Sequence, residues 1–274
     1  MNKTTVPMSS MGVLNLHRSD DHFTLTRHTP SGDTGYFVKH YWIVSWDLTG
    51  QPPRVQDVVP NPCVNLVVEP ERSAFFAPSN RKFSYHLQGK GCVFGVKFKP
   101  GAFYPFIKRP VSELSGRPLD VRSVLGIDAC SLERAMFAQR NEADMVQLAE
   151  SLIRPKLPEQ DDTIPFINRI VDRIMHDREI TRVDQICERF GINIRKLQRI
   201  FRGYVGVSPK WVIKLYRLQN AAEEMEHGRF RDMAQLSTEL GYHDQSHFIK
   251  DFKAAVGKTP EEYAKSSYHE SGET

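Results

Sequence analysis

The 274-residue chain has few cysteines: Cys63, Cys92, Cys130 and Cys187, all far apart. No CxxC pair and no Cys/His ligand spacing occurs, which argues against a structural zinc site and predicts reduced thiols. Nothing approaches the roughly 20 consecutive apolar residues of a membrane span. The N-terminus lacks a basic segment leading into an apolar run, so no signal peptide is expected. No glycine-rich phosphate loop and no Ser/His/Asp order stands out. The protein is therefore expected to be a cytoplasmic non-enzyme with no cofactor, no metal and no membrane partner. A charge excess is nearly lacking too. Thirty-seven Lys and Arg against 33 Asp and Glu leave a net +4, with a pI of about 8.8. That balance permits a nucleic-acid partner without demanding one, because the distribution of charge decides.

What is present supports a folded protein. Hydrophobic residues make up 40% and aromatics 10% of the chain, enough for a core, and the length suggests two domains. The N-terminal stretch reads as short strands: His22 to His28, Tyr36 to Leu48, Val55 to Val59, Cys63 to Glu69, Phe83 to Leu87 and Cys92 to Phe98. Gly89 and Gly91 between the last two mark a hairpin, and the pattern as a whole suggests a sandwich or barrel. After Pro100 the pattern turns helical. Ala102 to Ile107 reads as a short helix, and Leu132, Ala135, Met136, Met145, Leu148, Ala149 and Leu152 recur at helical spacing. The fold class expected is α+β in two domains. An N-terminal β-rich sandwich or barrel with flanking helices would fill 1–153. A Pro-rich, aperiodic linker follows at 154–163, then an all-α double helix-turn-helix at 164–266 and a flexible tail at 267–274.

From Ile164 onward helix starts are legible. Thr181 with Asp184 and Asp232 with Gln235 have capping-box spacing, and Thr259-Pro260-Glu261-Glu262 is a strong start. A helix beginning at Ser208-Pro209 runs to about Glu226 and stops at Gly228. An internal repeat is the most informative feature. Gln185, Ile186, Phe190 and Gly191 align with Gln235, Leu236, Leu240 and Gly241. With one residue inserted, Phe201, Val205, Gly206 and Pro209 align with Phe252, Val256, Gly257 and Pro260. Each unit reads helix, glycine turn, helix, which is the helix-turn-helix pattern, and two copies are more specific than one.

In each unit the second helix has two faces. Leu197, Ile200, Phe201 and Tyr204 form an apolar stripe opposite Arg195, Gln198, Arg199 and Arg202; Phe248, Phe252 and Val256 lie opposite Ser246, His247, Lys250 and Lys253. A polar face is often merely solvated, and such a face mixes signs. Here there is no acid between Glu188 and Glu223, an interval holding Arg189, Arg195, Lys196, Arg199, Arg202, Lys210, Lys214 and Arg217. An acid-free run suits a phosphate lattice. The connecting helix would be roughly 28 Å long, against roughly 34 Å between successive major grooves. One chain could then address adjacent grooves.

Residues Ile164 to Lys265 resemble the DNA-binding domain of the AraC/XylS regulators. The resemblance lies in Arg195-Lys196-Leu197-Gln198-Arg199-Ile200-Phe201, Val205-Gly206-Val207-Ser208-Pro209, Leu240-Gly241-Tyr242, Gln245-Ser246-His247-Phe248, Phe252-Lys253 and Gly257-Lys258-Thr259-Pro260-Glu261-Glu262-Tyr263. Lys250 and Ala264 stand where the family often has Arg. The resemblance implies a bacterial transcription regulator whose partner is double-stranded promoter DNA, with Arg195, Lys196, Gln198, Arg199 and Arg202 facing one groove. Gln245, Ser246, His247, Lys250 and Lys253 would face the next. RNA polymerase would be a partner if the protein activates. Val58 to Val67 and Gly95 to Ala102 resemble the β-rich regulatory domain of some members. That resemblance implies no particular ligand. The domain is expected to sense a small molecule, with Tyr36, Trp42, Trp46 and Phe94 as candidate lining or simply core, or to form a homodimer, with the Leu132 to Leu152 segment as dimer contact or packed against its own β domain.

Two other chemistries fit the residues less well. Pro62-Cys63 could begin a reactive-thiol motif, giving an alternative reading as a DNA-binding fusion with an enzyme or sensor domain. The His-Arg needed to activate the thiolate is replaced by Val64-Asn65, and Cys63 sits in a strand pattern where it packs as a small apolar residue. His243 and His247 have metal-ligand spacing without a third ligand, and His17, His22 and His28 form no cluster.

Overall fold

A computed structural model of the chain describes residues 23–79, 82–226 and 232–268. The expected stop at Gly228, the residues His17 and His22, and all but two residues of the expected tail lie outside this set. The strands are β1 (Thr24–His28), β2 (Val38–Leu48), β3 (Arg54–Val58), β4 (Asn65–Val68), β5 (Ala74–Phe76), β6 (Phe83–Leu87), β7 (Gly89–Phe98) and β8 (Leu119–Asp120). A short helix α1 (Thr34–Phe37) precedes β2, and α2 (Tyr104–Ile107) follows β7. Then come α3 (Arg122–Leu125), α4 (Ala129–Phe137) and α5 (Glu142–Ile153). Six strands form an antiparallel sheet in the order β1-β2-β7-β4-β5-β8, while β3 and β6 pair separately as a ribbon. The N-terminal half is thus an antiparallel β domain with helices, as expected.

Side chains alternate across this sheet. Tyr41, Ile43, Leu66, Phe75, Phe94 and Val96 point to one face and are buried to 2% exposure or less. Helices α4 and α5 close that face with Leu132, Met136, Met145, Ala149 and Ile153. The apolar stripe of 132–152 is therefore spent on the chain's own sheet, which corrects its expected use as a dimer contact. Burying it there satisfies both elements at once.

The hairpin expected at Gly89 and Gly91 does not form. Both glycines lie inside β7, and β6 pairs with β3 instead. Gly91 faces Trp46 and Gly95 faces Trp42 in the β2–β7 register. A Cβ placed on either glycine would fall inside the facing indole. These glycines serve space and not turning, so the rings lie flat over the strand. Gly95→Ala is expected to cost about 1–3 kcal/mol by overpacking. Gly203→Ala, with open space around it, should stay within about 0.5 kcal/mol. Paired thermal melts decide: equal melting temperatures would show that the indole seat does not need Gly95.

The C-terminal half is helical: α6 (Thr163–His176), α7 (Val183–Phe190), α8 (Ile194–Ile200), α9 (Pro209–Glu226), α10 (Met233–Glu239), α11 (Gln245–Val256) and α12 (Pro260–Tyr268). A π-turn, Phe201–Val205, extends α8. The last helix, α12, runs to Tyr268 and so passes the expected domain end at 266. The helices build two separate cores. One gathers Ile167, Ile170, Ile186, Leu197, Phe201 and Val212. The other gathers Leu218, Met225, Phe248, Phe252, Val256 and Tyr263. α9 contributes to both and joins them.

Residues 154–163 do not hang free between the halves. Tyr36 Oη donates to the Asp161 carbonyl at 2.8 Å, and Tyr204 Oη donates to Asp161 Oδ2 at 2.6 Å. The ring of Tyr204 stacks on Tyr104 at 4.1 Å between centroids. Asn168 Nδ2 donates to the Pro100 carbonyl, Gln219 Nε2 to the Pro60 carbonyl, and the Lys82 amide to the Ala254 carbonyl. The segments Val58 to Val67 and Gly95 to Ala102 thus both reach the seam with the helical half.

Candidate nucleic-acid interface

Each helix-turn-helix unit is set by local chemistry. At the start of α7, Gln185 Oε1 accepts from the amides of Thr181 and Arg182, both at 2.9 Å. The capping partner is Gln185, where the sequence pattern suggested Asp184. The Gln185 amide has the reach to accept from the N-cap donor and the one before it. Gly191 ends α7 at φ +58°, a left-handed conformation that favours glycine. Asn193 then caps α8 by accepting from the Arg195 amide at 2.8 Å. The second unit repeats the scheme. Asp232 accepts from the Ala234 and Gln235 amides, Gly241 turns at φ +65°, and Asp244 accepts from the His247 amide at 2.9 Å. Thr259 and Glu262 exchange hydrogen bonds at the start of α12.

This scaffold presents one exposed face from each second helix. On α8 and its extension, Arg195, Lys196, Gln198, Arg199 and Arg202 are all exposed. None of these side chains makes a hydrogen bond or ion pair among the described residues. On α11, Gln245, Ser246, His247, Lys250 and Lys253 are likewise exposed; Lys250 and Lys253 make no hydrogen bond or ion pair among the described residues, although Glu262 feels the charge of Lys253. His247 differs: its Nδ1 lies 2.6 Å from Asp244 Oδ2, so the cap holds the ring.

The eight basic residues of the acid-free run divide sharply once folded. Arg189 pairs with Asp177, Lys214 with Asp251 at 3.1 Å, and Arg217 packs over the ring of Tyr242 at 5.5 Å. Those three serve the fold. Arg195, Lys196, Arg199, Arg202 and Lys210 remain exposed, with no partner among the described residues. Lys210, at the start of α9, is a member of this set that sequence reading places only within the run. Asp177 and Asp251, which take two of the cations, lie outside the run in sequence, so only folding reveals the pairing.

The four aromatics proposed to line an effector site do not share one. Phe94 is fully buried in the helix-packed core, stacked on Tyr41. Tyr36 is an anchor of the Asp161 seam. Trp42 and Trp46 project from the opposite sheet face. Tyr36 and Phe94 are thus withdrawn as effector contacts, because packing has already consumed them. A cleft of about 780 Å³ near the ends of β1, β2 and β7 is bordered by Trp46, Phe23, Cys92 and Phe137.

Cys63 does not lie in a strand, being two residues before β4, but it is buried. Burial pushes its thiol up, against the opposing pull of Lys97 and Lys39. A thiol held protonated is a poor nucleophile. Among the described residues no helix is long and apolar enough to cross a membrane.

Comparison with known proteins agrees with this geometry. A family described as a helix-turn-helix domain matches residues 186–266, and a domain of unknown function (DUF6597) matches residues 26–120. An uncharacterised HTH-type transcriptional regulator of Haemophilus influenzae is 31% identical over 84 residues. The match covers 31% of this chain and 28% of that relative, so the chain spans little over a quarter of its length. Among solved structures, an AraC-type transcriptional regulator of Chromobacterium violaceum is 21% identical. It covers 39% of this chain and 95% of its own, with a TM-score of 0.35. ToxT of Vibrio cholerae is 14% identical over 89% of this chain and 98% of its own, with a TM-score of 0.38.

The C-terminal half is therefore a helix-turn-helix DNA-binding domain built from two linked helix-turn-helix units.

Proposed function

We propose that the chain is a sequence-specific, DNA-binding regulator of transcription. Its organisation would be an effector-sensing domain over 1–153, a connecting segment over 154–163 and the DNA-binding domain over 164–266. One observation carries the reading: the second helix of each unit exposes cations that form no ion pair among the described residues. Arg195, Gln198 and Arg199 would read one major-groove segment, and Gln245, Ser246 and Lys250 the next. Lys196, Arg202, Lys210 and Lys253 would hold phosphates. The seam at Asp161 joins Tyr36 and Tyr204 directly, so a change in the β domain has a short path to the end of α8.

Selection of random duplex DNA by the purified protein tests this. A bipartite motif is expected, its halves about one helical turn apart. Arg199→Ala should relax or weaken one half and Lys250→Ala the other. Sequence-blind binding with no motif would overturn the reading.

A further inference from the structure

The sheet face opposite the helix-packed core is built differently from it. Register places Arg27 of β1, His40 and Trp42 of β2, Gly95 and Lys97 of β7 and Asn65 of β4 on this one face. An irregularity between Val38 and His40 sets His40 opposite Lys97. Arg27, Lys39, His40, Trp42 and Asn65 are only half-buried, whereas their counterparts on the other face are closed. Lys97 is the exception, at 6% exposure. Its ammonium has neither an ion pair nor a hydrogen bond among the described residues. Among the described residues, the charged and titratable groups around it are Arg27, Lys39, His40 and Cys63, with no carboxylate. Buried charges are normally paired, because an unpaired one forfeits its hydration. Beside this ammonium, two residues along β7, the indole of Trp42 lies flat over Gly95.

We propose that this face binds an organic carboxylate with a flat apolar body, the carboxylate on Lys97 and the body against Trp42. The proposal deepens the effector reading of the N-terminal domain and rests on it. An ammonium with no counter-ion among the described residues supplies the charge complementarity. Trp42 gives an aromatic wall, and beside the lysine the Asn65 amide is held by donating to the Cys63 carbonyl at 3.2 Å. His40, held down to about 2 by burial and then by Lys97, Arg27 and Lys39, stays neutral. It can donate or accept a hydrogen bond without adding charge. Burial brings Lys97 itself down to about 8, with Lys39 and Arg27 acting in the same direction. The ammonium is thus present below that pH and lost above it.

The test uses the full chain without DNA, following tryptophan fluorescence with phenylacetate and its neutral isostere phenylacetamide. Phenylacetate should quench saturably, with phenylacetamide about tenfold weaker or more, as expected for a charge-assisted hydrogen bond. Lys97→Met, which keeps length and removes charge, should bring phenylacetate down to the level of the amide. Lys97→Arg should keep most of the affinity. Phenylacetate binding should weaken as pH rises through about 8, while amide binding stays level. Equal binding of acid and amide, or unchanged binding by Lys97→Met, overturns the proposal. So does binding that appears only after deletion of residues 1–22, since the natural occupant would then be the chain's own N-terminal segment. Because no DNA is involved, failure here is distinct from failure of the DNA-binding reading.

Discussion

Raising monovalent salt from about 50 to about 200 mM should lower affinity for the selected DNA site by about 10³-fold. Seven exposed cations on the two units make no hydrogen bond or ion pair among the described residues: Arg195, Lys196, Arg199, Arg202, Lys210, Lys250 and Lys253. If about six meet phosphates, each releases a counter-ion, and log affinity falls against log salt with a slope of about −5. Replacing Lys196 or Lys210 by Ala should flatten that slope by about 1 and weaken all sequences alike. Arg199→Ala should also lose about 1–3 kcal/mol of base discrimination. Arg189→Ala supplies the control, because its guanidinium is already committed to Asp177. A slope near zero, or a slope change for Arg189→Ala equal to that for Lys196→Ala, would remove the partner-free cations from the interface.

Phe252→Ala should convert a two-groove binder into a one-groove binder. Phe252 is fully buried and packs edge-on against Phe248 and Tyr263, at 5.7 Å to each ring. Truncation to Ala leaves a cavity and costs about 3–5 kcal/mol. A small helical unit has little stability to spare, so a loss of that size should unfold it. The core around Phe201 is separate, and α9 contributes to both. The first unit should therefore stay folded and keep its half of the DNA motif. Amide exchange would show lost protection over α10 to α12 with α7 and α8 intact. Selection should then return one half-site. Loss of both units together would mean that α9 and the seam make the domain one cooperative body.

Much of this was legible beforehand because it is local. The glycines at 191 and 241, the caps Asp232 and Thr259, and the apolar stripe of α11 act within one or two helical turns. Their spacing alone predicts where helices begin, bury and end. Where sequence reading erred, the deciding contact was distant. Gly91 looks like a turn residue until Trp46, from a strand much earlier in the chain, is laid across it. Thr181 pairs by eye with Asp184, but the side chain with the reach is Gln185. The Leu132 to Leu152 stripe looks available until the sheet covers it.

The amino-acid sequence by itself determined the two-domain architecture, the doubled helix-turn-helix and the sign of its exposed face. Periodicity, capping and charge order are properties of neighbouring residues. Tertiary structure alone decided which cations are free and which aromatics are core. It also decided that the connecting segment is pinned at Asp161 and that Lys97 is buried without a counter-ion among the described residues. Those facts depend on distances between residues far apart in the chain. An ammonium is neutralised by whichever carboxylate folding brings within a few ångströms of it, and sequence order does not encode that distance.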